Sequence, residues 1–207
     1  METRLGAPFK FNFRAPGRQV KGPIRYAVGQ TVRGMVLIGK SRQGICAIFL
    51  GERAQQLHEQ LAAAFPDVER MADPQSLLGE LRQVVDFIDK DRAERVIDLD
   101  IGGTSFQQEV WRALCGIPSG QTLSYSEIAQ HLGMLDAVRA VGGACAANVL
   151  AIAIPCHRVV RSDGTISGYR WGVDRKRALL ADESGQMKAG ARSAAGSEAA
   201  EVAVTAV

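Results

Sequence analysis

The chain has 207 residues, enough for one large domain or two small ones with a real core. With 46% hydrophobic and 23% charged residues it has the balance of a globular protein, and no apolar run approaches the ~20 residues that cross a bilayer, so no membrane partner is expected. The net charge of +3 excludes little by itself.

Residues 1–23 are rich in glycine, proline and basic residues and show little periodicity. They read as a flexible basic arm, either a plain disordered tail or a source of non-specific DNA contacts. No apolar leader core precedes them, so the cytoplasm is the expected compartment. Residues 24–100 begin with three short apolar runs, Arg25–Val28, Met35–Lys40 and Gly44–Leu50, which suggest an antiparallel meander. Two helical patterns follow. One covers 53–65, with Leu57, Leu61 and Ala64 on one face. The other covers 74–89, with Pro74 in its first turn and a stripe from Leu77 to Ile88. Strands followed by helices indicate a small N-terminal α/β domain within an α+β chain.

Residues 101–185 read differently. Gly102-Gly103-Thr104 opens a helix that Thr104 or Ser105 caps. Ser124 or Ser126 caps a short second helix, which Gly133 ends, and a third runs over 136–148. Helix, glycine turn, helix is the outline of a helix-turn-helix, though any αα-hairpin shares it. The third helix is almost bare. Ala137, Ala140, Gly142, Gly143, Ala144, Ala146 and Ala147 leave Arg139 as its one long polar side chain near the middle. Reading bases in the major groove needs more polar groups than that. A smooth helix suits close approach to a DNA backbone or a shallow groove, or close packing on a core. Asp163-Gly164 marks a turn, 174–183 a last helix, and 186–207 a disordered tail.

The apolar run Val149–Ile154 leads into Pro155-Cys156-His157-Arg158-Val159-Val160. A thiol at the mouth of a core is a candidate nucleophile if a base makes it a thiolate. An inert core cysteine is the competing reading, and adjacency does not put the histidine ring on its neighbour's sulfur. From Ala137 to Arg177 seven basic residues face two acidic ones, a local excess that suits a polyanion. Cys46, Cys115, Cys145 and Cys156 show neither metal-ligand spacing nor a disulfide framework, and the three histidines are scattered, so no metal site is expected.

Taken together, the motifs resemble the O6-alkylguanine-DNA alkyltransferases. Pro155–Val160 carries the resemblance, with Ser124-Tyr125, Arg139-Ala140-Val141-Gly142-Gly143, Asn148 and Gly168-Tyr169. Arg170-Trp171-Gly172-Val173 is similar to the bacterial Ada type. The likeness runs from about residue 24 to 183 and is sharp after Gly103. It implies a ribonuclease-H-like N-terminal domain and a mostly helical, winged helix-turn-helix-like domain. It further implies that Cys156 accepts an alkyl group from guanine O6 (O4-methylthymine being a possible second substrate), once per molecule and without a cofactor. His157 would be the base through a bridging water, Glu183 would orient it, and Asn148 would bond near the active-site backbone. Tyr125 would contact the flipped nucleotide and Arg139 would fill its gap in the duplex. Ala137, Ala140, Gly142 and Gly143 would lie in the minor groove of double-stranded DNA, with little sequence preference. Pro155, Val159, Tyr169, Arg170 and Trp171 would wall the pocket, which Trp171 would narrow. A monomer is expected. Residues 1–25 hold no cysteine, so the zinc-dependent phosphotriester repair of the full Ada protein is not expected of this chain. Two other readings compete: a winged-helix regulator with an inert cysteine, and a thiol hydrolase of small substrates.

Overall fold

The computed structural model describes residues 8–90 and 95–185. It has a mixed α+β architecture built on one six-stranded sheet. The strands are β1 (Phe9–Phe13), β2 (Ile24–Thr31), β3 (Gly34–Lys40), β4 (Ile45–Gly51), β5 (Arg70–Ala72) and β6 (Ile97–Ile101). Their spatial order is β1-β6-β4-β3-β2-β5. β2, β3 and β4 form the expected antiparallel meander, while β1 and β6 pair in parallel. Every residue of β4 is buried, which fits a continuous apolar run covered on both faces. Helix α1 (Ala54–Ala64) packs on β3 and β4, and α2 (Leu78–Lys90) on β2.

Three expectations need correction. The basic arm is not uniformly flexible: its residues 9–13 form β1, because Phe9 to Phe13 find a complete ladder on β6. Residues 1–7 of the arm and the tail 186–207 lie outside the described residues. Pro74 does not open α2. It sits in a turn where the Asp73 carboxylate accepts from the Ser76 N–H at 3.2 Å, and the helix starts at Leu78. The bare helix over 136–148 divides into a 3-10 turn, Leu135–Ala137, and α5 (Val138–Ala147).

The remaining elements lie C-terminal to β6. They are α3 (Ser105–Cys115), β7 (Leu123–Ser124), α4 (Tyr125–His131), α5, β8 (Val159–Val160) and α6, which spans 173–185. Both α3 and α4 start with reciprocal capping boxes, Thr104 with Gln107 and Ser124 with Glu127. Gly133, at φ +70°, ends α4 in the left-handed conformation that glycine adopts without a steric cost. Trp111 of α3 donates its indole N–H to the Ala144 carbonyl of α5 at 2.9 Å, which fixes the bare helix on its support.

The two halves meet along β4. β6 pairs with β4 only at Ile45–Leu99. Further along, the Ile48 N–H donates to the Val149 carbonyl and the Ile48 carbonyl accepts from Ala151, both at 2.9 Å. The apolar run before Cys156 is therefore a strap bonded to β4 beyond the point where β6 pairs with it. Because the Thr104 hydroxyl satisfies a free N–H of the first turn of α3, Thr104→Ala should lower the unfolding free energy by about 1 kcal/mol, measured as a urea midpoint shift at unchanged m.

Candidate active site

Cys156 opens a 3-10 turn, Cys156–Arg158, directly after the strap, and is 4% exposed. The strap is tight. The Ala153 N–H donates to the Ala151 carbonyl at 2.6 Å, closing a γ-turn on Ile152, whose φ is +66°. A β-branched residue there carries backbone strain of roughly 1–3 kcal/mol. Asn148 holds it in place. This fully buried amide accepts from the Leu150 N–H at 2.8 Å and donates to the carbonyls of Leu150 at 3.3 Å and Ile154 at 3.0 Å. Its Nδ2 also lies 3.3 Å from Cys156 Sγ. One side chain thus fixes the strap and touches the sulfur.

The His157 ring turns toward α6. Nε2 lies 2.9 Å from Glu183 Oε1, and Nδ1 is buried with no hydrogen-bond partner among the described residues. Arg158 lies on the same carboxylate, with Nε 3.1 Å from both oxygens and Nη2 2.8 Å from Oε1, and its Nη1 donates to the Ile117 carbonyl at 2.6 Å. The Gly120 N–H completes the set at 3.1 Å. Burial pushes the Glu183 carboxyl up, but hydrogen bonds and charge from His157 and Arg158 outweigh it and hold it down at about 2. Burial holds His157 below its ordinary value, against the pull of Glu183, so the ring is neutral near pH 7. With Glu183 ionised, Nε2 is the protonated nitrogen and Nδ1 is left as an acceptor.

Burial pushes the Cys156 thiol up to about 11, while the Asn148 hydrogen bond and the Lys176 charge oppose it. Cys46, Cys115 and Cys145 are all pushed up to about 12, with burial the leading cause in each. Of the four, only Cys156 has a side-chain hydrogen bond that opposes the effect of burial.

Lys176 is the residue that sequence reasoning missed. It counted only as part of a basic surface, yet it is 0% exposed. Its ammonium donates to the Val159 carbonyl and, at 3.1 Å, to Ser167 Oγ, which in turn lies 2.6 Å from the Tyr125 hydroxyl. An alternating Lys and Arg run on a helix start gives no sign of which member turns inward. The basic cluster also shrinks in the folded chain. Arg158 is paired with Glu183, Arg175 with Glu52 and Arg177 with Asp174; with Lys176 buried, Arg139, Arg161 and Arg170 are left as its exposed cations without a carboxylate partner among the described residues.

The other expected residues divide into two groups. Pro155 and Val159 are buried around the Cys156 turn. The Tyr169 ring stands edge-on to His157 at 6.4 Å and to Trp171 at 5.1 Å, and its buried hydroxyl has no partner among the described residues. Trp171 is 3% exposed, and exposed Arg170 donates to the Ala146 carbonyl at 3.1 Å. Outward on α5 and the turn before it, Arg139 and Ala140 are exposed, while Ala137 and Gly142 are half-buried.

This arrangement has known counterparts. Residues 105–185 match the family model described as 6-O-methylguanine DNA methyltransferase, DNA binding domain. The inducible methylated-DNA–protein-cysteine methyltransferase of Bacillus subtilis is 35% identical over 155 residues, which cover 75% of this chain and 82% of that protein. The chain belongs to the methylated-DNA–protein-cysteine methyltransferase family. The bifunctional transcriptional activator/DNA repair enzyme Ada of Escherichia coli is 47% identical over 183 residues, 88% of this chain. This chain spans about half of that protein's length, 51%. A Mycobacterium tuberculosis OGT solved in complex with DNA superposes with a TM-score of 0.64 at 34% identity, over 78% of this chain and 93% of that one. Within this family framework the Glu183 cluster makes a pH prediction. The unfolded chain protonates this carboxyl near 4.5 and the folded chain only near 2. The stability it contributes is complete above the first value and lost as pH falls toward the second. Glu183→Gln should flatten that acid limb in urea midpoints measured across pH.

Proposed function

We propose that this chain repairs DNA by moving the alkyl group, mainly methyl, from O6-alkylguanine onto Cys156, once per molecule. The observation that supports this best is a buried thiol with the Asn148 amide on its sulfur, next to a neutral histidine whose Nε2 is held by an ionised Glu183. In this reading the Cys156 proton passes through one water to His157 Nδ1. The sulfur then attacks the alkyl carbon, and the carbon–O6 bond breaks with its electron pair going to guanine, which takes up a proton and stays in the DNA as a normal base. Asn148 and the Lys176 ammonium favour charge on sulfur. The product is a thioether, which no group near Cys156 is placed to cleave, so the protein is consumed. The lesion itself is the alkyl donor and no cofactor takes part. Tyr169 and Trp171, packed edge to face, would wall the alkyl pocket with Pro155, Val159 and Arg170.

The lesion is out of reach inside a duplex, so the base must be flipped out, at a cost of a few kcal/mol. We assign the minor-groove contact to α5, with Arg139 filling the gap and Tyr125 beside the flipped nucleotide. The glycines of α5 support this. A Cβ added at Gly143 would meet nothing within 4 Å, and one at Gly142 only the Tyr125 ring at 3.9 Å. Packing inside the protein therefore does not demand either glycine, which favours an outside partner that needs a flat surface. The winged arrangement of α4, α5 and the turn at 161–165, a ribonuclease-H-like sheet, a division near residue 100, a monomer and a cytoplasmic location belong to the same proposal.

Incubation with an excess of O6-methylguanine duplex should add a single methyl to the peptide holding Cys156, read by intact-mass and peptide mass spectrometry. Methylation of Cys46, Cys115 or Cys145 instead, or many lesions repaired per protein, would overturn it. Gly143→Ala separates fold from DNA contact. It should raise stability by about 1 kcal/mol through helix propensity and yet weaken duplex binding, while reaction with the free methylguanine base is kept.

A further inference from the structure

Residues 14–20 of the N-terminal arm have no part in the site above, yet their backbone is pinned. The Arg14 N–H donates to the Ile101 carbonyl at 2.8 Å, the Gly17 N–H donates to the Gly103 carbonyl at 2.9 Å, and Val20 is buried. This pinned loop closes a cleft of about 770 Å³ against the β3–β4 turn and β6. Arg14, Arg18, Lys21 and Arg42 line it, with Asp100 as its only carboxylate. Among the described residues no carboxylate lies within ion-pair distance of Arg18, Lys21 or Arg42, all three of which are exposed.

The floor of the cleft is incompletely bonded. Asp100 is 2% exposed, and its Oδ2 accepts from the Ser41 hydroxyl at 2.5 Å. Its Oδ1 lies 3.4 Å from Arg14 Nε, an ion pair without hydrogen-bond alignment. Arg14 Nε and Nη1 are buried and have no hydrogen-bond partner among the described residues. Leaving such donors unpaired costs roughly 1–3 kcal/mol each. Arg14 thus adds positive charge from the floor, while Arg18, Lys21 and Arg42 line the same cleft with exposed donors, a combination that suits phosphate oxygens.

We propose that this cleft is a second anion site, in which the exposed Arg18, Lys21 and Arg42 hold phosphate groups above the buried Arg14–Asp100 pair. None of the residues that line it belongs to the Cys156 site described above. The β2–β3 turn touches α6 through Arg33 and Asp182, whereas the cleft lies at the other end of β3, seven residues and roughly 20 Å away. The same chemistry serves two sources, a backbone phosphate of bound DNA and a free phosphorylated anion. The inference does not rest on alkyl transfer.

The test compares the full chain with an Arg18→Glu/Arg42→Glu variant, whose exposed side chains leave the core intact. Inorganic pyrophosphate and a short undamaged duplex are titrated separately at matched ionic strength, with thermal shift and fluorescence anisotropy as readouts. The wild type should show saturable stabilisation by pyrophosphate, and the variant should lose about tenfold or more in affinity. If DNA is the source, the variant's duplex affinity also falls and its salt dependence flattens by about two phosphate contacts. If a free anion is the source, duplex binding stays unchanged and only the pyrophosphate response is lost. The melting temperatures without ligand should be equal in both proteins, which separates a lost anion site from a damaged fold. Two results would overturn the inference: no saturable response to pyrophosphate together with unchanged DNA binding, or a pyrophosphate response of equal strength in both proteins.

Discussion

The strap on β4 is the constraint from which the rest of the site follows. Ile48 offers an N–H and a carbonyl that β6 leaves unpaired, and the residues before Cys156 take both. Buried backbone groups must be bonded, so the strap cannot drift without exposing two of them. The Cys156 sulfur is thereby referenced to a strand in which every residue is buried. Asn148 then transmits that position to the sulfur through four contacts, each within 3.3 Å. The strained turn at Ile152 persists because these bonds over-determine it.

The electrostatics of the site is a balance of buried groups that are all partnered on one side. Glu183 is neutralised by Arg158 and bonded by His157, which makes the carboxylate affordable inside the protein and fixes the histidine tautomer. Burial disfavours the Lys176 ammonium, and the nearby Cys156 and Cys145 sulfurs favour it. A neutral thiol at rest and a cation held close by form a compartment in which negative charge on sulfur is stabilised as it develops.

The outer face of the same half is built by subtraction. α5 presents Arg139 among small side chains, and its position is set from behind by Trp111 on Ala144. Ion pairs remove Arg158, Arg175 and Arg177 from the available surface charge, so the cations left around the site are few and placed on the α5 side and the neighbouring turn. A modest overall charge of +3 is compatible with this, because what matters to a polyanion is the local field.

The sequence by itself determined the class of elements and singled out the candidate site. Alternating and continuous apolar runs gave the meander and the helices, because side-chain period follows backbone geometry. Capping residues gave the starts of α3 and α4, since a hydroxyl three residues before a free N–H is a local chemical fact. The Pro-Cys-His-Arg motif and its companions pointed to the family, and the bareness of α5 was visible as composition. The tertiary structure alone decided what depends on residues far apart in the chain. β1 looked like a loose arm because its partner, β6, lies more than eighty residues away. Lys176 looked like surface because only packing reveals which of three adjacent cations turns inward. The resemblance implied Glu183 beside His157, but that the ring reaches it through Nε2 and leaves Nδ1 without a partner among the described residues follows from where α6 docks, and no local pattern encodes it.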